Sequence, residues 1–408
     1  MNIYLQNTNK VTPIYNAYDV NILNQIWDYV NFHTINDLDD ISKDGIIESC
    51  LIVIERTDIF RLLHEHILSA VKNCKNKKII ILYHGKSISA PKATAGLNYD
   101  HHLLVDTLGF DSANIMYIVQ LKADIKHVYD IFGPSVKVTD YDRWLEELNR
   151  YQIKHSYKSP KNHLYKDPDR PDKKFSVCIR RYEDIRLEAM CELISKDLLK
   201  DFYYTFAARG GHMPEDIGVK LASFLNNLPQ RYIPYRDKIQ EWAKGIPYEA
   251  EKIEPGNCEV YDSYYSMKLG NYYNHCKVVF VVETHCEHTD NLRADFSIVT
   301  EKIYKAMLYK KPFILLSQPR TLQVLRECGY KTFDHVINES YDKLETFPER
   351  LNAISEELNR IRNLDDISLQ NLLDSCQENV EHNYNLMLKE SFKSIPQEFT
   401  IRNFIKYD

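Results

Sequence analysis

Short apolar runs bounded by polar turns recur along the first part of the chain, each of a length that suits one buried strand. They occupy residues 46–54, 79–83 and 115–119. Between the first two runs, apolar residues recur at three- and four-residue steps through residues 60–71, which is the spacing of an amphipathic helix. Strands that alternate with helices predict a parallel sheet covered on both faces.

A polar stretch interrupts this alternation, which then begins again. Residues 155–174 carry several lysines, aspartates and prolines without an apolar period, which predicts an interdomain linker. Apolar runs follow at 175–179, 202–206, 278–282 and 313–316, an amphipathic helix at 187–198, and further helices from about residue 341. We therefore predict α/β domains at 1–154 and 175–340, the linker at 155–174 and C-terminal helices at 341–408.

Length and charge support this division and narrow the class of protein. A chain of 408 residues exceeds the roughly 250 to 300 residues that one hydrophobic core holds. The 44% hydrophobic and 27% charged residues are typical of a globular protein. Acidic residues outnumber basic ones by 58 to 52, which disfavours a protein that coats nucleic acid through bulk charge.

Cysteine usage and the N-terminus bear on location. The nine cysteines are scattered, with no C-x-x-C pair, which predicts neither a disulfide framework nor a zinc ribbon. The first residues lack a basic segment followed by an apolar one, and no stretch approaches about 18 apolar residues. We expect a cytoplasmic protein of unknown oligomeric state.

The 29 tyrosines, with abundant Lys, Asn and Ile, are typical of the AT-rich genes of a low-GC bacterium or a virus. A viral protein would act in the host cytoplasm.

Histidines and cysteines cluster once along the sequence. The cluster contains His275, Cys276, His285, Cys286 and His288. A predicted strand separates its two halves, and the spacing matches no familiar zinc site. We therefore predict no metal.

The most informative segment reads as strand, loop, helix and strand between residues 277 and 317. Glu283 follows the first strand, and Thr300, Glu301 and Lys302 fall in or just before the first turn of the helix. Free N–H groups at such a helix start, beside the end of a parallel strand, suit a diphosphate. Lys302 opposes the helix dipole by about 0.3 to 1 kcal/mol, which indicates either a neighbouring anion or a solvated first-turn lysine.

This segment resembles the fucosyltransferase type of glycosyltransferase. That family has a strand ending in a Phe-Glu-Asn-like element, a Tyr-Val-Thr-Glu-Lys helix start and a Val-Pro strand. Here Val-Val-Glu-Thr ends at Thr284, Ile-Val-Thr-Glu-Lys ends at Lys302, and Lys311-Pro312 opens the last strand. The resemblance implies that Glu301 holds the ribose and Lys302 the diphosphate of a nucleotide sugar. Residues 325–333 and 338–342 also look like uncharacterised viral and phage glycosyltransferase-like proteins.

The resemblance extends upstream to residues 175–186, which are similar to the arginine-bearing segment that opens the family's donor domain. It implies that Arg180, Arg181 and Arg186 bind the donor phosphates. The fold it implies is α/β, with two Rossmann-like domains facing a cleft in the GT-B arrangement. The implied reaction is metal-independent and cofactor-free transfer of a sugar from a nucleoside-diphosphate sugar, bound by the second domain, to an acceptor hydroxyl.

Two residues of the first domain are candidates for the catalytic base. Glu55 directly follows the apolar residues 51–54, which places it at the carboxyl end of a parallel strand, where such sheets present reactive groups. An ion pair with Arg56 or Arg61 is the alternative role for Glu55. His84 follows the run 79–83 and would titrate near neutrality without any shift.

Several features of the sequence bear on the acceptor. The virus-like resemblance, the cytoplasmic character and the linker lysines favour a hydroxymethylated pyrimidine in viral DNA, whereas the acidic net charge opposes it. An intracellular polysaccharide or protein is the alternative acceptor. The competing functions are a catalytically inactive nucleotide-binding protein of the same fold, a different α/β transferase and a sugar-nucleotide epimerase.

Overall fold

The computed structural model describes residues 2–5, 31–34, 49–55, 76–83, 101–119, 122–140, 145, 169–179, 182–206, 217–248, 270–283, 286 and 299–391. Over these residues the protein is an α/β protein with two parallel sheets. The chain divides into two compact units. Unit 1 comprises Met1–Glu146 with Ser391–Asp408, and unit 2 comprises Glu147–Glu390.

Unit 1 contains a six-stranded sheet with the order β2-β1-β3-β4-β5-β6, in which every neighbouring pair is parallel. Its strands are β1 (Asn2–Leu5), β2 (Asn31–Thr34), β3 (Ser49–Glu55), β4 (Asn76–Tyr83), β5 (Ile115–Val119) and β6 (Lys137–Asp140). Helix α1 (Lys122–Phe132) lies between β5 and β6 in the chain. The predicted strands at 46–54, 79–83 and 115–119 are confirmed as β3, β4 and β5. The helix predicted at 60–71 lies outside the described residues.

Strands β1, β2 and β6 were not predicted, because each is short, begins with a polar residue and contains no apolar run of four. In addition, β2 and β6 form the two edges of the sheet. An edge strand has one neighbour and needs no continuous apolar run. By contrast, β5 is buried along its whole length, which matches the apolar run that predicted it.

Unit 2 contains a four-stranded sheet with the order β10-β9-β7-β8, again entirely parallel. Its strands are β7 (Lys173–Cys178), β8 (Phe202–Thr205), β9 (Cys276–Val282) and β10 (Phe313–Leu316). All four of the strands predicted for the second domain are confirmed. The described helices of unit 2 are α2 (Asp184–Ser195), α3 (Ile217–Asn226), α4 (Arg236–Ala243), α5 (Gly270–Asn274), α6 (Glu301–Leu308), α7 (Thr321–Glu327), α8 (Phe347–Arg362) and α9 (Asp366–Ser391).

The core of unit 2 forms where helices cover the sheet. Helix α6 packs on β9 and β10, while α8 packs on β10 and α2. Ile303 of α6, Leu187 of α2 and Ile354 of α8 are fully buried. A buried carboxylate reinforces the α2–α8 contact, since Glu192 accepts hydrogen bonds from Ser355 Oγ at 2.8 Å and Tyr232 OH at 3.0 Å. No helix within the described residues has the length and apolar character needed to cross a membrane.

The predicted linker ends too late. Lys173 and Lys174, which we assigned to it, are the first two residues of β7. Lys173 Nζ donates to the carbonyls of Lys200 and Phe202 at 3.0 Å. Lys174 Nζ donates to the carbonyl of Arg362, the last residue of α8, at 2.5 Å, where a cation complements the helix dipole. These two lysines therefore bind the protein itself.

Each sheet has a topological switch point, which is the place where the chain stops adding strands on one side and begins to add them on the other. In unit 2 the chain passes from β7 to β8 on one side and later continues with β9 on the other side. In unit 1 the corresponding point lies between β1 and β3. Open parallel sheets bind ligands outside the carboxyl ends of the strands at such points. In unit 2 this location is marked by Ile179, after β7, and Glu283, after β9.

Candidate functional site

The site is built where β9 ends and α6 begins. The backbone N–H of Glu283 donates to the carbonyl of Leu316 at 2.9 Å, which extends the pairing of β9 with β10 by one residue. Thr300 caps α6 from an extended conformation, with its Oγ1 accepting from the backbone N–H of Lys302 at 3.4 Å. The helix start predicted at residues 300–302 is therefore confirmed.

The buried Glu283 and the partly exposed Lys302 form an ion pair at this end of the sheet. The Glu283 side chain is 0% exposed, and its Oε2 lies 3.0 Å from Lys302 Nζ. Thr300 Oγ1 lies 2.7 Å from Oε1 and 3.0 Å from Oε2 of the same carboxylate. Lys302 Nζ also donates to Thr300 Oγ1 at 3.0 Å and lies 3.4 Å from Glu301 Oε1.

These contacts decide between the two interpretations of Lys302. Its side chain is 19% exposed and paired with two carboxylates, so it is not a solvated first-turn lysine. The anions beside it in this structure are the protein's own Glu283 and Glu301, and binding of a diphosphate by Lys302 stays a prediction.

Glu301 is ionised at neutral pH. Burial raises the pKa of its carboxyl, but Lys302, Lys305 and hydrogen bonds from Thr300 and the backbone together lower that pKa to about 2. An ionised carboxylate only accepts hydrogen bonds. Glu301 is therefore suited to binding hydroxyl groups.

Arg186, in the first turn of α2, joins the cluster through electrostatics. Its side chain is buried. Burial lowers the pKa of the guanidinium, and the charge of Glu283 is the largest effect that opposes this, with Glu301 contributing in the same direction. Because an arginine stays protonated in proteins, the cluster contains a buried cation beside the Glu283–Lys302 pair.

The structure thus brings together Arg186, Glu283, Thr300, Glu301 and Lys302. Arg180, Arg181 and His84 lie outside the described residues. Glu55 is the last residue of β3, next to the switch point of the first sheet, as predicted for a residue at a strand's carboxyl end. Its side chain lies outside the described part of the structure.

One residue of the site was missed entirely. Arg350 of α8 is 1% exposed. Its Nε donates to the carbonyl of Ser317 at 3.1 Å, its Nη1 to those of Leu344 and Glu345 at 2.8 Å, and its Nη2 to that of Cys286. In the sequence it is one arginine in an amphipathic helix, and no motif marks it.

Two cysteines lie near the switch point, and neither is available as a thiolate. Burial raises the pKa of Cys178, the last residue of β7, to about 12. The pKa of Cys286 is also raised to about 12, mainly by burial and secondly by the negative charge of Glu283. Since the thiolate is the nucleophile and the metal ligand, these residues are structural in this state.

The described residues contain no group of three or more His, Cys, Asp or Glu arranged to hold a metal ion. His275 is buried, with its Nδ1 at 3.3 Å from Asp172 Oδ1. His285 and His288, from the cluster seen in the sequence, lie outside the described residues.

No protein-family model matches the chain, and no curated protein matches it either. The charged cluster at the carboxyl end of the second sheet is therefore the feature of this chain that points to a function.

Proposed function

We propose that the protein is a glycosyltransferase of the GT-B type, which transfers a sugar from a nucleoside-diphosphate sugar to an acceptor hydroxyl. Unit 2 binds the donor. The observation that carries this proposal is the position of Arg186, Glu301 and Lys302 at the switch point between β7 and β9, next to the start of α6. This is where open parallel sheets bind nucleotides.

The cluster can perform the recognition steps that the reaction needs. Lys302 and Arg186 neutralise the negative charge that develops on the leaving diphosphate, without requiring a metal. The ionised carboxylate of Glu301 accepts hydrogen bonds from the ribose hydroxyls. Glu283 positions Lys302 and Thr300, since its oxygens already accept their hydrogen bonds.

Lys302 must change partners to bind a phosphate. An ammonium has three N–H donors, and its nearest oxygens are those of Glu283 and Thr300 at 3.0 Å and of Glu301 at 3.4 Å. The contact with Glu301 is the longest. When a diphosphate oxygen replaces Glu301 Oε1 at Lys302 Nζ, Glu301 Oε1 becomes free to bind the ribose. The loss of this one contact therefore makes room for both the diphosphate and the ribose.

Unit 1 supplies the base that removes the acceptor proton in an inverting transfer. Glu55 is the first candidate because it ends β3 beside the switch point of its sheet. His84, which follows β4 in the chain, is the second.

For the acceptor, a hydroxymethylated pyrimidine in viral DNA remains the proposal, with a polysaccharide or a protein as alternatives. The linker lysines now support a DNA acceptor less strongly, because two of them, Lys173 and Lys174, bind backbone carbonyls of unit 2. Transfer of labelled sugar to modified DNA, but not to a polysaccharide or protein, would support DNA as the acceptor.

Calorimetry with a panel of nucleoside diphosphates tests the donor site. We expect Lys302→Ala and Arg186→Ala each to raise the dissociation constant at least about tenfold, since hydrogen bonds to charged groups contribute roughly 1.5 to 3 kcal/mol. Lys310→Ala is the matched control, because Lys310 follows the opposite end of α6 and pairs with Glu381. Equal affinities in both site variants and the wild type would remove this donor site.

Incubation with UDP-, GDP- and CMP-sugars separates the competing functions. Transfer or hydrolysis of the sugar supports a glycosyltransferase. Binding without turnover indicates an inactive nucleotide-binding protein, and interconversion of free nucleotide sugars indicates an epimerase.

A further inference from the structure

Arg350 is the largest fully buried side chain of the described residues, and its contacts lie at the carboxyl edge of the second sheet. Cys286 follows β9 by four positions in the chain, and Ser317 is the first residue after β10. The guanidinium donates to the backbone carbonyls of both. The guanidinium also donates to the carbonyls of Leu344 and Glu345, which lie just before the start of α8.

Cys286 is also held at the strand ends by its own thiol. Cys286 Sγ lies 3.3 Å from the carbonyl of Glu283 and 3.5 Å from that of Leu316. Arg350 therefore holds the carbonyl of a residue whose side chain contacts the backbone of Glu283. The carboxylate of Glu283 in turn positions Lys302 at 3.0 Å.

The chemistry of these contacts requires arginine. The planar guanidinium directs its N–H groups along fixed directions, whereas a lysine ammonium is a compact point charge on a flexible stem. The partners of Arg350 come from two strand ends and from the segment before α8, so one rigid fork joins three parts of the chain.

We infer that Arg350 is a positioning residue, which fixes the backbone at Cys286 and Ser317, after β9 and β10, and thereby holds Glu283 and Lys302 in the geometry that binds a diphosphate. This inference rests on the proposed function, and it adds to it a residue that does not touch the ligand.

Site-resolved labelling of cysteines with iodoacetamide, read by mass spectrometry, tests the inference. The variants are Arg350→Lys, which keeps the charge, and Arg350→Gln, which removes it. Arg360→Lys is the matched control, since Arg360 is on the same helix and pairs with Glu357. Cys276 and Cys191 are buried reference thiols of unit 2.

We expect Cys286 to be labelled at least about tenfold faster in both Arg350 variants, because one lost hydrogen bond to a charged donor favours local opening by that factor. Cys191 and Cys276 should keep their wild-type rates. The charge change alone acts in the opposite direction, because Arg350 lowers the pKa of Cys286, so faster labelling of Arg350→Gln reports opening of the loop.

Affinity for a nucleoside diphosphate is measured on the same proteins and should fall at least about tenfold in both variants but not in Arg360→Lys. In the wild type, a nucleoside diphosphate at about one hundred times its dissociation constant should slow the labelling of Cys286 at least about tenfold. This second measurement needs no variant and applies even if the Arg350 variants fail to fold.

The inference is overturned if Cys286 keeps its wild-type rate, if all three thiols accelerate together, or if the loop opens while the affinity is unchanged. It is also overturned if a bound diphosphate leaves Cys286 labelling unaltered. A wild-type protein that binds no nucleoside diphosphate refutes the proposed function and this inference together. If the wild type binds a nucleoside diphosphate and the Arg350 variants keep its affinity and its Cys286 labelling rate, only the inference about Arg350 is refuted.

Discussion

Replacing Glu283 by Gln removes one buried charge while nearly keeping the shape of the side chain. Thr300 can still donate its hydroxyl hydrogen to the amide oxygen. Lys302 loses its closest counter-charge, which lies at 3.0 Å, and Arg186 loses the charge that most opposes the effect of its burial. We therefore expect Glu283→Gln to destabilise unit 2.

The size of the effect follows from the geometry. At 3.0 Å and an effective dielectric constant of about 20, the attraction of one such pair is about 5.5 kcal/mol. Removing one partner of a buried pair costs about 3 to 5 kcal/mol, since the other charge is left uncompensated. Lys302 keeps 19% of its side chain exposed and can turn toward water, so we expect a loss of about 3 kcal/mol.

Unfolding of unit 2 in urea, followed by pulse labelling of the buried Cys191, measures this loss. With an m-value of about 3 kcal/mol per molar urea, the midpoint should fall by about 1 M. The control is Glu345→Gln. Its carboxylate is 55% exposed and lies 2.6 Å from Arg320 Nη2, an exposed pair that contributes less than about 1 kcal/mol.

This reasoning is refuted if Glu283→Gln lowers the urea midpoint by no more than Glu345→Gln does. It would show that Lys302 is fully stabilised by its contacts with Thr300 and Glu301. The same result would weaken the positioning role given to Glu283.

Two further predictions concern ionisation and catalysis. The pKa of Glu301 is lowered from 4.5 to about 2, so its ionised form stabilises the fold by on the order of 3 kcal/mol above pH 4.5, and this stabilisation is lost as the pH falls toward 2. Urea midpoints of the wild type and Glu301→Gln should therefore converge between pH 5 and 2.5, and a constant difference would contradict the assignment. Glu55→Gln should bind the nucleoside diphosphate normally but turn over at least about a hundredfold more slowly. Near-normal turnover in a steady-state sugar-transfer assay would move the role of base to His84 or to another residue.

The sequence predicted the parts of the fold that depend on local pattern. A buried strand such as β10 is apolar throughout, and a helix with one buried face, such as α6, shows the spacing of Ile303, Ala306 and Met307. The helix start was predictable because Thr300 is a local cap. Its Oγ1 accepts a hydrogen bond from the backbone N–H of Lys302, only two residues away. Such signals lie within a few neighbouring residues.

The order of the strands and the partners of the charges could not be predicted in this way. β9 pairs with β7 rather than with β8, although β8 is nearer in the chain. The two residues that share the Glu283 carboxylate lie 17 and 19 positions away, and Arg350 lies 64 positions from Cys286. A lysine in the first turn of a helix looks the same in the sequence whether water, a ligand or a buried glutamate is its partner.

The pairing of Glu283 with Lys302 is itself an argument for a function at this edge of the sheet. Replacing a buried ion pair by apolar residues of similar volume is often neutral or stabilising, so stability alone does not require the pair. The neighbouring positions show that apolar packing was available, because Val282 and Ile303 are buried beside the two charged residues. The charges lie instead at the one edge where a parallel sheet binds ligands, with Arg186 and the ionised Glu301 in the same cluster. If Lys302 binds the diphosphate as we propose, it needs a counter-charge before that ligand arrives, and the buried carboxylate of Glu283 provides it.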